Sequence, residues 1–195
     1  MNDALIPQQP RLYPAIQAKS QEIGFTMPSD IYIGTLLKTL IASKPGSNLL
    51  ELGTGVGLSL CWMIDGMDET SKLVTIDNNP DLSKIAKNFF ETDQRVEIVC
   101  VDGAEWLLNY AGEKFDLIFA DAWPGKYSQI EEALSLVKIG GFYVIDDMNP
   151  QANWPEGHQE KVNRLIEYLE AHKDFVLTKM NWSTGVIVAV RTKYK

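Results

Sequence analysis

"LLELGTGVG", residues 49–57, joins an apolar run to three glycines spaced two apart. An apolar run of this length bounded by glycine reads as a buried strand. Glycines directly after it mark a turn where the backbone bends sharply or meets a ligand more closely than a Cβ would allow. The dinucleotide fingerprint G-x-G-x-x-G needs a third glycine at position 58, which is Leu58, and no G-x-x-x-x-G-K-[ST] phosphate loop occurs. The turn by itself leaves its ligand open, and a purely structural tight turn is an equal reading.

Around this stretch the chain alternates strand and helix patterns. Apolar runs at Asn48 to Leu52, Lys72 to Ile76, Val96 to Val101, Phe115 to Ala120 and Gly141 to Ile145 read as buried parallel strands. Between them, Pro80 and Asp81 open a helix to about Phe90, and Ser128 precedes QIEEALSLV, a helix predicted to close at Gly140-Gly141. Ahead of the first strand, Pro28-Ser29-Asp30 caps IYIGTLLKTLIAS, a helix that packs on the sheet or borders the site. Glu156 to His172 reads as the last helix. FVLTKM and GVIVAVR then follow, joined by only Asn181-Trp182-Ser183-Thr184, which forces an antiparallel pair. The expected fold is α/β and Rossmann-like, with five or six parallel strands, a C-terminal antiparallel hairpin strand and helices on both faces. A dehydrogenase would instead continue with another βαβ unit and a separate substrate domain. One domain over residues 1–195 is expected, with residues 1–45 a helical region bordering the substrate site and 46–195 the cofactor-binding core.

The composition bounds the partners. The 195 residues are 45% hydrophobic and 23% charged, with a formal net charge of −8, so a polyanion would bind against the overall field. Nucleic acid is therefore a disfavoured partner. No apolar run approaches the roughly 20 residues of a membrane span, and the first residues do not follow a basic stretch with an apolar core, so the cytoplasm is the expected location. Cys61 and Cys100 stand singly in apolar surroundings and read as reduced core residues.

Later strand ends narrow the ligand of the glycine turn. LVTID ends in Asp77, 24 residues after Gly53 and close to the separation of about 20 expected of a ribose-binding acid. Asn78 follows it. The third strand leads to Asp102-Gly103-Ala104, where an acceptor and a backbone amide can meet an adenine. Glu51 beside the turn would repel a pyrophosphate but tolerates a ligand that carries a sulfonium and an ammonium. S-adenosylmethionine is the better match for this set, and Glu51, Gly53, Thr54, Gly55 and Gly57 are its candidate cofactor-binding residues at the turn.

These segments, "LLELGTGVGLSL", "LVTIDNNP", "FDLIFADAWPGKY" and "GGFYVIDDM", resemble the successive motifs of class I S-adenosylmethionine-dependent O-methyltransferases, in particular the catechol and caffeoyl-CoA group with its small bacterial members. The resemblance covers about residues 25 to 191. It implies the class I methyltransferase fold with a mostly parallel seven-stranded sheet, and it places Glu51, Gly53 and Gly55 at the methionine part, Asp77 at the ribose, and Asp102 and Ala104 at the adenine. Trp123 stands where catechol-type enzymes pack a tryptophan on the adenine. Similar enzymes are often homodimers.

Methyl transfer requires a nucleophile held in line with the sulfonium carbon and relieved of its proton. Family members often add a divalent metal, held by an acid after strand 4 and an Asp-Asn pair after strand 5. Here the matching positions are Asp121, Asp146 and Asp147. Such carboxylates suit Mg²⁺ or another hard divalent cation, while capping of the loop or pairing with a lysine explains Asp146 and Asp147 equally well. The lysine common three residues after the strand 4 acid is replaced by Pro124. Lys126 could stand in for it or bind a substrate carboxylate, and His158, in the loop after strand 5, is a candidate base; a solvated loop lysine and a helix-terminal histidine are the plainer readings. His172 needs only a helix-capping role. The expected activity is O-methylation of a small-molecule hydroxyl. The alternatives are a non-catalytic S-adenosylmethionine-binding module, suggested by Pro124, and methylation of RNA, which the acidic charge opposes.

Overall fold

The computed structural model describes residues 2–3, 5–6, 8–151 and 154–192. Its centre is a seven-stranded sheet of β1 (Asn48–Leu52), β2 (Lys72–Asp77), β3 (Val96–Cys100), β4 (Phe115–Ala120), β5 (Val137–Ile145), β6 (Phe175–Met180) and β7 (Val186–Arg191). The spatial order is β3-β2-β1-β4-β5-β7-β6. β1 to β5 pair in parallel, and β7 runs antiparallel between β5 and β6. The mostly parallel sheet and its antiparallel hairpin strand are thus as the residue pattern predicted.

Alternation along β1 sorts the helices onto two faces. Leu49 belongs to the core shared with α1 (Tyr13–Glu22), α2 (Ile31–Ala42) and α3 (Leu58–Gly66), while Leu50 and Leu52 belong to the core that holds Leu107 of α5 (Gly103–Asn109), Ala133 of α6 (Ile130–Ser135) and Val162 of α7 (His158–Ala171). Asp30 caps α2 by accepting from the Tyr32 amide at 2.7 Å. α4 (Pro80–Phe90) is capped by Asn79, which accepts from the amides of Asp81 and Leu82. No helix among the described residues is long and apolar enough to cross a membrane.

Two expectations need correction. The helix after Ser128 stops at Ser135, and the strand begins at Val137, well before Gly140-Gly141. Val137 already pairs with Phe115, and pairing resumes at Phe142 with Leu117 after a register shift. Gly140, at φ 76°, takes up the extra residues, so the two glycines form a bulge inside β5 instead of ending a helix. Cys61 is buried as expected but Cys100 is exposed. β3 is an edge strand, so its outward-facing positions have no layer to cover them.

Glu51 sits in the alternation at the same parity as Leu49 and is fully buried. Its Oε1 accepts from Ser59 Oγ of α3 at 2.6 Å and its Oε2 from Thr75 Oγ1 of β2 at 2.5 Å. Burial, with the charge of Asp77 in support, raises its pKa from 4.5 to about 7 against the pull of these two hydrogen bonds. The folded protein therefore holds this proton more tightly than the unfolded chain. The stability it confers is complete below pH 4.5 and is lost as the pH rises through about 7.

Two predictions follow from this packing. α2 and α3 touch so closely that a Cβ on Gly34 would stand 2.4 Å from Trp62 Cδ1, and Trp62 is buried. Gly34→Ala gains about 1 kcal/mol of helix propensity but overpacks a rigid ring, for a net loss of about 1–2 kcal/mol and a fall in Tm of roughly 2–8 °C by calorimetry. Between about pH 5 and about pH 8, urea denaturation should show the wild type losing on the order of 2 kcal/mol more than Glu51→Gln, which keeps an acceptor but carries no titrating proton.

Candidate active site

The parallel registers Leu52 with Ile76, Leu52 with Ala120, and Ala120 with Ile145 bring the carboxyl ends of β1, β2, β4 and β5 to one edge. A cavity of about 560 Å³ opens there. Ligands of open α/β sheets bind at this edge because the strand-to-helix turns expose backbone amides and short side chains.

The glycine turn forms the cavity floor. Gly53, at φ 107°, donates its amide to Ile76 O at 2.9 Å, and a Cβ there would stand 2.8 Å from the backbone oxygen of Asp121. Only glycine combines that φ with that approach. Gly55 donates its amide to Asp77 Oδ2 at 2.8 Å, and Asn79 donates to Asp77 Oδ1 at 2.8 Å. One backbone donor on each oxygen fixes the carboxylate, which lines the cavity together with Asn78. Asp102 caps α5 through Oδ1, accepting from the Ala104 and Glu105 amides at 2.9 and 3.0 Å, and it lines the cavity with Gly103 and Ala104.

Glu51 and Gly57 are not in the lining. Glu51 connects to it through hydroxyls, Thr54 Oγ1 lying 2.6 Å from Thr75 Oγ1, which donates to Glu51. Gly57, at φ 95°, starts α3, and a Cβ there would meet Phe90 at 2.7 Å.

At the other end, Asp121 follows β4, lines the cavity and accepts from Ser29 Oγ at 3.2 Å. Burial and the charge of Asp146 raise its pKa well above the ordinary carboxyl range, offset by Lys126. Asp146 is buried, and its Oδ1 accepts from the Asp147 amide at 2.7 Å and from the Thr184 hydroxyl. Desolvation, then the Asp147 charge, raise its pKa to about 6. Asp147 adopts a left-handed φ of 59°.

The segment Trp123–Ser128 folds into a compact turn in which Trp123 O accepts from the amides of Lys126, Tyr127 and Ser128. Buried Tyr143 of β5 pins the turn from below by donating its hydroxyl to Gly125 O. Pro124, in the place of the expected lysine, lies over Gly103, whose Cβ would be 3.2 Å from the proline ring. Lys126 turns inward and is only 6% exposed. Trp123 lines the cavity while 52% exposed, with Lys161 Nζ 4.0 Å from its ring centroid. His158, the first residue of α7, is buried between Trp154 and Tyr127, whose hydroxyl is 3.2 Å from Nε2. Burial, then the charges of Lys126 and Lys161, lower its pKa and keep the imidazole neutral near pH 7. His172 is the C-cap residue of α7.

The structure therefore gathers Gly53, Thr54, Gly55, Asp77, Asn78, Asp102, Gly103, Ala104, Asp121 and Trp123 around one cavity, while Lys126 and His158 are outside its lining. Phe25, Met27 and Ser29 line it too, without any motif to announce them. Their only signal is the helix cap at Pro28-Ser29-Asp30, which fixes where α2 starts. Among the described residues, no group of three His, Cys, Asp or Glu side chains is arranged to hold a metal ion. Asp121, Asp146 and Asp147 stand at the ends of adjacent strands without forming such a group. Oδ1 of Asp146 is engaged by the Asp147 amide and the Thr184 hydroxyl.

Comparison with known proteins agrees with this architecture. The family description O-methyltransferase matches residues 15–181. A relative from Mycolicibacterium smegmatis that carries an O-methyltransferase name is 34% identical over 118 residues, 58% of this chain and 56% of that protein. The match thus spans little more than half of that relative. Among solved structures, an O-methyltransferase from Bacillus cereus in complex with S-adenosylhomocysteine superposes with a TM-score of 0.81 at 24% identity, over 97% of this chain and 94% of that one. The O-methyltransferase TomG from Streptomyces achromogenes, in complex with S-adenosylmethionine, gives 0.83 at 22% identity, over 97% and 93%. The match of the family pattern across the sheet and its glycine turn makes the chain a member of the O-methyltransferase family.

Proposed function

We propose that the protein transfers a methyl group from S-adenosylmethionine to a hydroxyl oxygen of a small molecule. The observation that carries this reading is the cavity at the strand ends, where a glycine cradle, a fixed Asp77 and the Asp102–Ala104 cap lie together in a member of this family. The residues fit the cofactor. Gly53 leaves open the space a Cβ would fill, and Asp77 keeps lone pairs for two ribose hydroxyls after its two backbone bonds. Asp102 spends Oδ1 on the helix cap and keeps Oδ2 to accept from the adenine amino group, and the exposed indole of Trp123 covers the ring.

Bound S-adenosylmethionine supplies an electrophilic methyl carbon on its sulfonium. The chain's part is to hold the acceptor oxygen in line with that carbon and remove its proton. Of Asp121, Lys126 and His158, Asp121 alone lines the cavity, so its carboxylate receives the hydroxyl proton. Ser29 orients it by donating to Oδ2. His158 and Tyr127 pair with each other, and Phe25 and Met27 add apolar lining to the cavity. The net charge of −8 supports a small-molecule acceptor over nucleic acid.

Calorimetric titration with S-adenosylhomocysteine tests this reading. The wild type is expected to bind one equivalent, and Asp77→Ala to bind about 10- to 100-fold more weakly, the worth of a hydrogen bond to a charged group of ~1.5–3 kcal/mol. Asp121→Asn should retain binding and lose methyl transfer to a panel of small hydroxylated acceptors. A wild type that binds no S-adenosylhomocysteine would rule the proposal out.

A further inference from the structure

Behind the glycine turn, four side chains form one hydrogen-bonded chain. Ser59 Oγ of α3 donates to Glu51 Oε1 at 2.6 Å, Thr75 Oγ1 of β2 donates to Glu51 Oε2 at 2.5 Å, and Thr75 Oγ1 lies 2.6 Å from Thr54 Oγ1. All four residues are buried, yet Thr54 also lines the cavity between Gly53 and Gly55. Two short hydrogen bonds therefore separate the Glu51 carboxyl from a residue of the cradle.

Counting protons fixes the direction of the chain. A hydroxyl has one proton to give. Thr75 spends its proton on Glu51, so the proton between Thr75 and Thr54 is that of Thr54, which donates to a residue outside the cavity lining. This arrangement belongs to an ionised Glu51, which accepts on both oxygens. A protonated Glu51 needs an acceptor for its own hydrogen, so Ser59 or Thr75 must turn its proton elsewhere. When Thr75 does so, its proton goes to Thr54, whose own proton must find a new acceptor. Protonation behind the wall is then felt at the cradle.

The groups around Glu51 make its charge sensitive to what enters the cavity. Its register partner on β4 is the apolar Phe119, α3 faces it with Cys61, whose thiol burial keeps neutral, and the charge that acts on it is that of Asp77 from β2. Asp77 accepts from the Gly55 amide while Glu51 connects to Thr54, so like charges reach the turn at consecutive residues. A cation at the turn relieves their repulsion, and a neutral group does not.

We propose that the hydroxyl chain from Ser59 through Glu51 and Thr75 to Thr54 is a proton-linked selector, which makes the cradle prefer the cationic methyl donor over the demethylated product by coupling ionisation of Glu51 to occupancy by the sulfonium. The inference rests on the methyltransferase reading and adds what distinguishes donor from product. S-adenosylmethionine carries a sulfonium charge that S-adenosylhomocysteine lacks, so the donor gains more from an ionised Glu51. Burial raises the pKa of this carboxyl to about 7, which puts the change in the neutral range. Glu51, Thr75 and Thr54 are positioning residues on this account.

The test is the affinity of the full chain for donor and product, measured by calorimetry at about pH 6 and about pH 8 on the wild type, Glu51→Gln, Thr54→Ser and Thr54→Val. In the wild type and in Thr54→Ser, which keeps the hydroxyl, the preference for the donor is expected to grow about fivefold from the lower pH to the higher. Glu51→Gln should show only the titration of the ligands themselves, which is common to every variant, and Thr54→Val should cut the growth to about twofold. The carbon-13 resonance of the Glu51 carboxyl supplies a readout that needs no variant. Its titration midpoint should lie at lower pH in the donor complex than in the product complex. Equal midpoints in the two complexes, or a wild-type preference that grows no more than that of Glu51→Gln, would overturn the proposal, and equal growth in Thr54→Val and the wild type would remove the hydroxyl chain from it. A wild type that binds neither ligand at either pH strikes the methyltransferase reading itself, whereas binding of both with a ratio independent of pH strikes the selector alone.

Discussion

The site depends on how closely β1 and β4 approach at their carboxyl ends. The Asp121 amide donates to Leu52 O at 2.9 Å, and the Cα of Gly53 lies so near the Asp121 carbonyl that a side chain there would collide with it. This single contact joins the glycine-turn half of the cavity to the Asp121 half. The glycine turn sets the floor of the cavity, and Asp121 sets the carboxylate at its other end. With β1 central in the sheet, neither end can move without disturbing both of its neighbours.

Electrostatics then divides the edge in two. At the ends of β2 and β3, Asp77 and Asp102 are held in place by backbone amides. At the ends of β4 and β5, Asp121 and Asp146 are desolvated and lie among like charges, and both rise in pKa. Lys126 offsets that rise from a turn pinned by Tyr143, so its position is inherited from β5 and not from the loop's own sequence. Glu51, buried one layer behind, extends the same theme. Its proton is held by burial and governed by two hydroxyls, one of which also touches Thr54 of the cofactor turn.

How much of this could be read from the residues varies by region. The strands with continuous apolar runs were legible because a parallel strand is buried on both faces. The β5 bulge was not. Its two glycines mimic a helix stop, and only pairing of Val137 with Phe115 shows that the strand has already begun. Cys100 misled in the same way, since an apolar neighbourhood in sequence does not tell an edge strand from a central one. Phe25, Met27 and Ser29, which also line the cavity, lie in a segment without periodicity whose only local mark is the helix cap at Pro28-Ser29-Asp30.

The sequence by itself determined the order of strands and helices, the antiparallel return at the C-terminus, and the short polar residues that end each strand. Those features depend on neighbours a few positions apart, where burial period, glycine and chain length leave little choice. Which acids remain charged, which face the cavity, and what stands among them was decided by the tertiary structure alone. Glu51 turns away behind the wall while Asp121 faces in, and Lys126 becomes buried because Tyr143, on another strand, holds its turn. Charge in a low-dielectric interior responds to distances across strands and loops, and the linear order of residues does not contain those distances.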